Sequence, residues 1–408
     1  MDSSERLRRY ADLVVGVGAN VQPDQSVMIQ ALVEHAELVR AIAEAAYVAG
    51  ARRVVVDYTD DHVQRSRLLH APADSLASFD PWEKDRYAQL RADGGAFIRL
   101  SGDPDVHLFD GIDPARLAAI PVELMRFFTD EVLFGGDVAW TIVAAPNRGW
   151  AQQVFGEPDL ERLWDAVALA MRLDAADPVA AWRERAAELR DRQARLDRLG
   201  ADAIRFRGPD TDLTVGLIPG SRWHSATMQT ARGTTYMPNL PTEEVFTSPH
   251  RDRAEGHVRI TKPFVLPSGA SVSGLQLRFE GGRIVGVTAD DGAAAVEAVL
   301  ERDENARRLG EVSIVTGDSA VARAGLLFHN TLFDENVGCH IAFGISFPFT
   351  LPDGMRMTED ERVQAGLNHA SVHVDVVIGS PEVNVDAQLP DGRLVPVLRD
   401  DRWVLEEP

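Results

Sequence analysis

Cysteine is almost absent from this 408-residue chain, Cys339 being the only one. A single thiol excludes an intrachain disulfide and any zinc module built on several cysteines, and it fits a reducing compartment. Positive charge is scarce as well: 42 Lys and Arg stand against 63 Asp and Glu, a formal net charge of −21. A surface of that sign argues against nucleic acid as a partner, because such binding depends on neutralising phosphates. No apolar run reaches the ~20 residues that a membrane-spanning helix needs. The opening Met1-Asp2-Ser3-Ser4-Glu5 has no basic segment leading into an apolar one. The expectation is a soluble, cytoplasmic protein with no membrane partner. Internal repeats and low-complexity tracts are missing too.

What is present is a folding composition, 45% hydrophobic and 26% charged, in a chain longer than one hydrophobic core usually spans. Two domains are therefore expected, residues 1–190 and 191–408. The first alternates helix and strand patterns: a helix from Leu7 to Val15, a strand from Ser26 to Leu32, a helix from His35 to Val48 closed by Gly50, and a buried strand from Arg53 to Tyr58. Further strands are expected from Ala96 to Leu100 and Ala139 to Ala144, with helical stretches between them such as the one opened by Asp113-Pro114. This is an α/β domain with an open, mostly parallel sheet and flanking helices. Gly16 and Gly18 follow a helix rather than a strand and complete no Gly-x-Gly-x-x-Gly, so no dinucleotide cofactor is expected. Asp177-Pro178 and Gly200 bracket a helix whose apolar face carries Trp182, Ala186, Leu189 and Leu196. Beyond it come short strands, from Ile204 to Phe206, Leu213 to Leu217, Val272 to Phe279 and Val372 to Ile378, of a mixed α+β domain.

Four segments of that second domain hold acids or histidines in apolar surroundings. In Leu240-Pro241-Thr242-Glu243-Glu244-Val245-Phe246, strand alternation lets only one of Glu243 and Glu244 point inward, and an exposed turn acid is the plain alternative. Glu311 leads straight into Val312-Ser313-Ile314-Val315, so it is either solvated, paired with Arg307 or Arg308, or bound to a cation. Asp334, Glu335 and His340 crowd one turn before an apolar run, a donor density that suits a divalent ion. His373 and Asp375, two apart on a β-branched strand, project from the same face and either grip one ion or hydrogen-bond each other. Cys339 beside His340 has no evident base and is assigned to packing.

Together these segments resemble the M29 family of thermophilic-type aminopeptidases. The resemblance runs nearly end to end through Asn239-Leu240-Pro241-Thr242-Glu243-Glu244 up to His250, Leu309-Gly310-Glu311-Val312, Leu332-Phe333-Asp334-Glu335-Asn336 to His340, and His373-x-Asp375. It implies two divalent ions (Zn, Co, Mn or Mg) on Glu244, Glu311, His340, His373 and Asp375, with Glu311 bridging. It also implies short peptide substrates cleaved at the N-terminus by metal-activated water, a homodimer, and a further acidic position at Glu335 that resembles a ligand or near-ligand; a carboxylate not used in coordination, Glu335 or Glu243, is the candidate catalytic proton carrier. One departure is visible: the family commonly has a tyrosine seven residues after the third-motif histidine, and here Phe347 has no hydroxyl to donate. The rival reading is a mononuclear Fe(II) ring-cleaving dioxygenase using two histidines and one carboxylate. The set Glu244, Glu311 and Glu335 argues against it. A third reading is a catalytically weak or silent homologue.

Overall fold

The structure, a computed structural model, describes residues 1–266 and 269–406. It divides into two compact units, residues 1–183 with 227–241, and residues 184–226 with 242–408. The chain passes between the units three times, where the sequence expectation has one crossing at residue 190.

The first unit is built on a five-stranded sheet in the order Arg53–Thr59, Ser26–Leu32, Ala96–Ser101, Ala139–Ala144, Asn239–Leu240, every neighbouring pair parallel. The three inner long strands are buried along most of their length, as strands covered on both faces must be. Arg53–Thr59, read from the sequence as buried, lies at the sheet edge and is half to fully exposed. One helix-covered side holds an aromatic core in which Phe128 lies 5.0 Å from Tyr87 and 5.1 Å from Phe97, with Trp140 and Tyr236 alongside. The first helix, Ser3–Leu13, is capped by Asp2 and runs into a π-helical turn at Val14–Gly18. A Cβ on Gly18 would come within 3.0 Å of Thr141 and 3.2 Å of Leu240, so close packing on the sheet accounts for that glycine.

The second unit begins inside the helix Pro178–Leu199, whose predicted apolar positions Trp182, Ala186, Leu189 and Leu196 are all buried. Gly200 ends it with a left-handed φ of 59°. Two antiparallel sheets follow. The larger has eight strands, in the order Arg283–Thr288, Gln276–Glu280, Pro249–Arg259, Thr211–Leu217, Ala203–Gly208, Asn384–Gln388, Leu394–Arg399, Arg402–Trp403. The expected strand from Val272 to Phe279 is broken into Ser271–Val272 and Gln276–Glu280. At the break Gly274 takes a φ of 61° and a Cβ there would clash with Asp290. The smaller sheet has four strands in the order Glu244–Thr247, Leu309–Val315, His340–Gly344, His373–Val377.

Candidate metal centre

The register of the four-stranded sheet decides which side chains meet. Phe246 pairs with Ser313, Ser313 with His340, Ala342 with Asp375, and Gly344 with His373. Residues directly opposite share a face, and so do residues two apart along a strand. Glu244, Glu311, His340, His373 and Asp375 therefore all stand on one face. The other face carries Val245, Val312, Ile314, Ile341, Phe343, Val374 and Val376, all buried, and anchors the sheet in the core.

The acid- and histidine-bearing face brings two donor groups together, Glu244 with Glu311 and His340, and Glu311 with His373 and Asp375. His340 Nε2 lies 3.2 Å from Glu244 and 3.7 Å from Glu311 Oε1, while His373 Nε2 lies 3.2 Å from Glu311 Oε2 and 3.3 Å from Asp375. Glu311 thus offers one oxygen to each group. Arg307 and Arg308, the cations weighed for it from the sequence, pair instead with Glu297 and Asp252.

Both imidazoles are oriented by main-chain carbonyls, His340 Nδ1 toward Gly338 O at 3.4 Å and His373 Nδ1 toward Ile345 O at 3.0 Å. With Nδ1–H donated in this way, each neutral ring turns the Nε2 lone pair toward carboxylate oxygens. Acceptor faces acceptor unless a positive charge lies between them. Burial opposes protonation of both rings, yet the carboxylates beside them raise both well above the usual histidine value. Burial and the nearby Glu311 push Glu244 up, against hydrogen bonds from His340 and Ser313. Two imidazolium protons would supply two positive charges against the four carboxylates Glu244, Glu311, Glu335 and Asp375; two divalent cations would balance all four. The donor set, oxygen-rich with two imidazole nitrogens, suits borderline or hard divalent ions.

Glu335 precedes the His340 strand, half-buried. Burial, then Glu244, Asp375 and Glu311, hold its carboxyl well above the usual range. Glu243 is placed differently from Glu244. It is also fully buried, but its carboxylate accepts from Arg185 Nε at 2.6 Å and from the Ala320 N–H at 3.0 Å, and its own N–H donates to Asn336 Oδ1 at 2.6 Å. The strand alternation holds, but both sides of this strand start are interior. Asp334 accepts from the Phe328 and Asn330 N–H groups and so shapes the preceding loop; its carboxyl is pushed up to about 7 by burial, against those bonds. The Cys339 thiol is buried, its pKa pushed up to about 12. Phe347 stands beside the site, its ring 5.1 Å from that of His373, and stacks on Phe349 at 5.3 Å.

Sequence reasoning missed three contributors. Ser313 Oγ donates to Glu244 at 2.6 Å; its alternation with Glu311 was the available signal. Arg185 reads in the sequence as one more surface arginine of an amphipathic helix. A cavity of about 520 Å³ adjoins His373, Asp375 and Glu335, walled by Lys262, Phe264, Leu266, Leu326, Leu327 and His329. Nothing in those separated segments marks them as neighbours.

Comparison with known proteins covers nearly the whole chain. The family model described as thermophilic metalloprotease (M29) matches residues 3–403. Aminopeptidase T of Thermus aquaticus is 41% identical over 98% of this chain and 99% of that protein. Aminopeptidase 2 of Geobacillus stearothermophilus is 35% identical over 98% of each. The solved structure of wild-type AmpT from Thermus thermophilus superposes with a TM-score of 0.88 at 37% identity, covering 99% of this chain and 100% of that one.

Proposed function

This chain belongs to the M29 family of thermophilic metalloproteases and is a metallo-aminopeptidase of that family; we propose that it removes the N-terminal residue from short peptides, with Glu244, Glu311, His340, His373 and Asp375 holding two divalent ions. The observation that carries the ligand set is the register that puts all five on one sheet face with both Nε2 atoms aimed at carboxylates.

When bound, such ions lower the pKa of water toward neutrality and polarise a carbonyl. The chain's own residues do the rest. Glu311 spans the two donor groups, one oxygen to each, and fixes their spacing. The carbonyls of Gly338 and Ile345 hold the imidazoles in the tautomer that presents Nε2. With those ions held, the site would favour a substrate's free amine, a nitrogen donor to a divalent ion, over a blocked terminus, which offers none. In the hydrolysis the C–N bond breaks, the water oxygen goes to the acyl carbon, and a proton passes to the leaving amine. Glu335, on the cavity wall beside the cluster, is positioned to carry that proton. Glu243, the other acid considered for this role, has both oxygens engaged by Arg185 and Ala320. Phe347 offers no hydroxyl to a developing oxyanion, so turnover falls below that of a site with such a donor.

The mononuclear iron reading is not favoured, because a two-histidine, one-carboxylate face leaves Glu244, Glu311 and Glu335 without purpose. The decisive assay measures free amino acid released from Leu-Ala and N-acetyl-Leu-Ala by enzyme supplied with zinc or cobalt. Cleavage of the unblocked peptide alone is expected, and equal cleavage of both would contradict recognition of the amine. Metal analysis should find about two ions per chain.

No helix among the described residues is long and apolar enough to cross a membrane. A cytoplasmic location and a homodimer complete the proposal. Supporting the dimer, the edge strand Arg53–Thr59 leaves Val55 and Tyr58 at 37% and 41% exposure, an unpaired edge that a second copy would cover. Light scattering at the mass of one chain would rule the dimer out.

A further inference from the structure

We propose that Lys262 is the specificity-determining residue that receives the C-terminal carboxylate of a dipeptide or tripeptide, making this enzyme selective for very short peptides with a free acid end. The inference rests on the aminopeptidase reading and extends it to the leaving side of the substrate.

The cavity beside the metal centre, about 520 Å³, falls within the range that holds small ligands. Its walls divide by chemistry. Glu335, His373 and Asp375 are the lining residues of the candidate metal centre, where a free amine is drawn. Phe264, Leu266, Leu326 and Leu327 give an apolar lining that suits uncharged side chains. Among the described residues Lys262 is the one lysine or arginine on the wall, and it is one of only two lysines in the sequence. Among the described residues it is engaged in no salt bridge, although Asp401 senses its charge.

The position of Lys262 is fixed by the residue before it. The Thr261 N–H donates to Val377 O at 2.8 Å, and its hydroxyl donates to Gly379 O at 2.8 Å while lying 3.2 Å from Val377 O. Lys262 is thereby bolted to the end of the strand that carries His373 and Asp375. Val377 lies two residues beyond Asp375 on the same face, about 6.6 Å along the strand, and an adjacent chain lies about 4.8 Å to the side. The backbones of Asp375 and Thr261 are thus roughly 8 Å apart, the length of two to three extended residues at about 3.3–3.6 Å each. A dipeptide or tripeptide whose amine sits at the carboxylate cluster spans that backbone separation, and the Lys262 side chain, which lines the same cavity, is the cation offered to its acid end. A longer peptide carries its terminal charge past this point.

The test compares kcat/KM of the metal-loaded full chain for Leu-Ala and Leu-Ala amide, with Leu-p-nitroanilide as a substrate that has no acid end. The wild type is expected to prefer the free acid by about fivefold to tenfold, the range for an exposed charge-assisted contact. In Lys262→Met the preference falls to within about twofold, the change appearing in KM, and Lys262→Arg restores it. Equal hydrolysis of acid and amide by the wild type, or an undiminished preference in Lys262→Met, would overturn the proposal. Absence of any turnover, including of the p-nitroanilide, would instead overturn the aminopeptidase reading and the proposal with it.

Discussion

Replacing Arg185 by methionine tests the account of Glu243. Arg185 and Glu243 are both buried, joined at 2.6 Å, and Arg185 also bonds Glu188. Glu188 is 46% exposed and keeps Arg192, so it loses little when Arg185 goes. Glu243, with no exposed surface, keeps the Ala320 N–H but loses the guanidinium that faces its charge. Breaking a buried ion pair by removing one partner costs about 3–5 kcal/mol. For a unit of this size each kcal/mol shifts the melting midpoint about 2–4 °C, so a fall of roughly 6–20 °C is expected. The double variant Arg185→Met with Glu243→Gln removes both charges and keeps an acceptor for Ala320, so most of the loss should return. Thermal unfolding followed by circular dichroism reads both. A second readout is metal affinity, since Glu243 is joined to Glu244 in sequence and to Asn336, the neighbour of Glu335, by its N–H. A loss of about tenfold in the single variant is expected. A double variant as unstable as the single one would refute the reasoning, because the cost would then come from lost packing rather than stranded charge.

Glu311→Gln should lower bound metal from about two ions per chain to one or fewer and reduce kcat/KM by at least about 100-fold, read by elemental analysis and peptide hydrolysis. Cys339, buried with its thiol pushed up to about 12, should resist iodoacetamide at pH 8 in the folded enzyme and react after denaturation. Burial, opposed by the bond to Gly102 O, holds the His35 imidazole below its usual value. As pH falls below about 6.5 the unfolded chain takes up this proton first, so stability declines toward the lowered pKa; His35→Gln should flatten that part of the melting curve. Phe347→Tyr should raise kcat by about tenfold or more if the added hydroxyl reaches the oxyanion, and an unchanged kcat would remove Phe347 from the catalytic argument.

The parallel sheet of the first unit was legible because buried β-branched strands and alanine-rich helices alternate at regular spacing. His373 and Asp375 were legible for the same reason: a period of two on one strand fixes a shared face without any tertiary knowledge. Glu311 was legible only as a problem, a carboxylate inside an apolar run. The structure resolves it by sending the nearby arginines elsewhere and placing two imidazoles beside it. Arg185 and Glu243 could not be read, since helix periodicity counts an arginine as outward-facing and their pairing spans 58 residues. The strand Asn239–Leu240 was hidden by its length: two residues carry no period. Lys262 gave no signal either, because an isolated lysine becomes distinctive only once the residues that share its cavity are known.

The loop of chain from residue 227 to 241, which leaves the second unit to supply the outer strand of the first, has a consequence for how the protein can be divided. A gene truncated after residue 190 encodes a parallel sheet missing its last member, with the Ala139–Ala144 strand left open to solvent or to aggregation. The complementary fragment carries within it, from residue 227 to 241, a stretch belonging to the absent partner that ends two residues before Glu243. Neither half is a portable cassette, and the enzyme must be inherited, expressed and engineered as one piece.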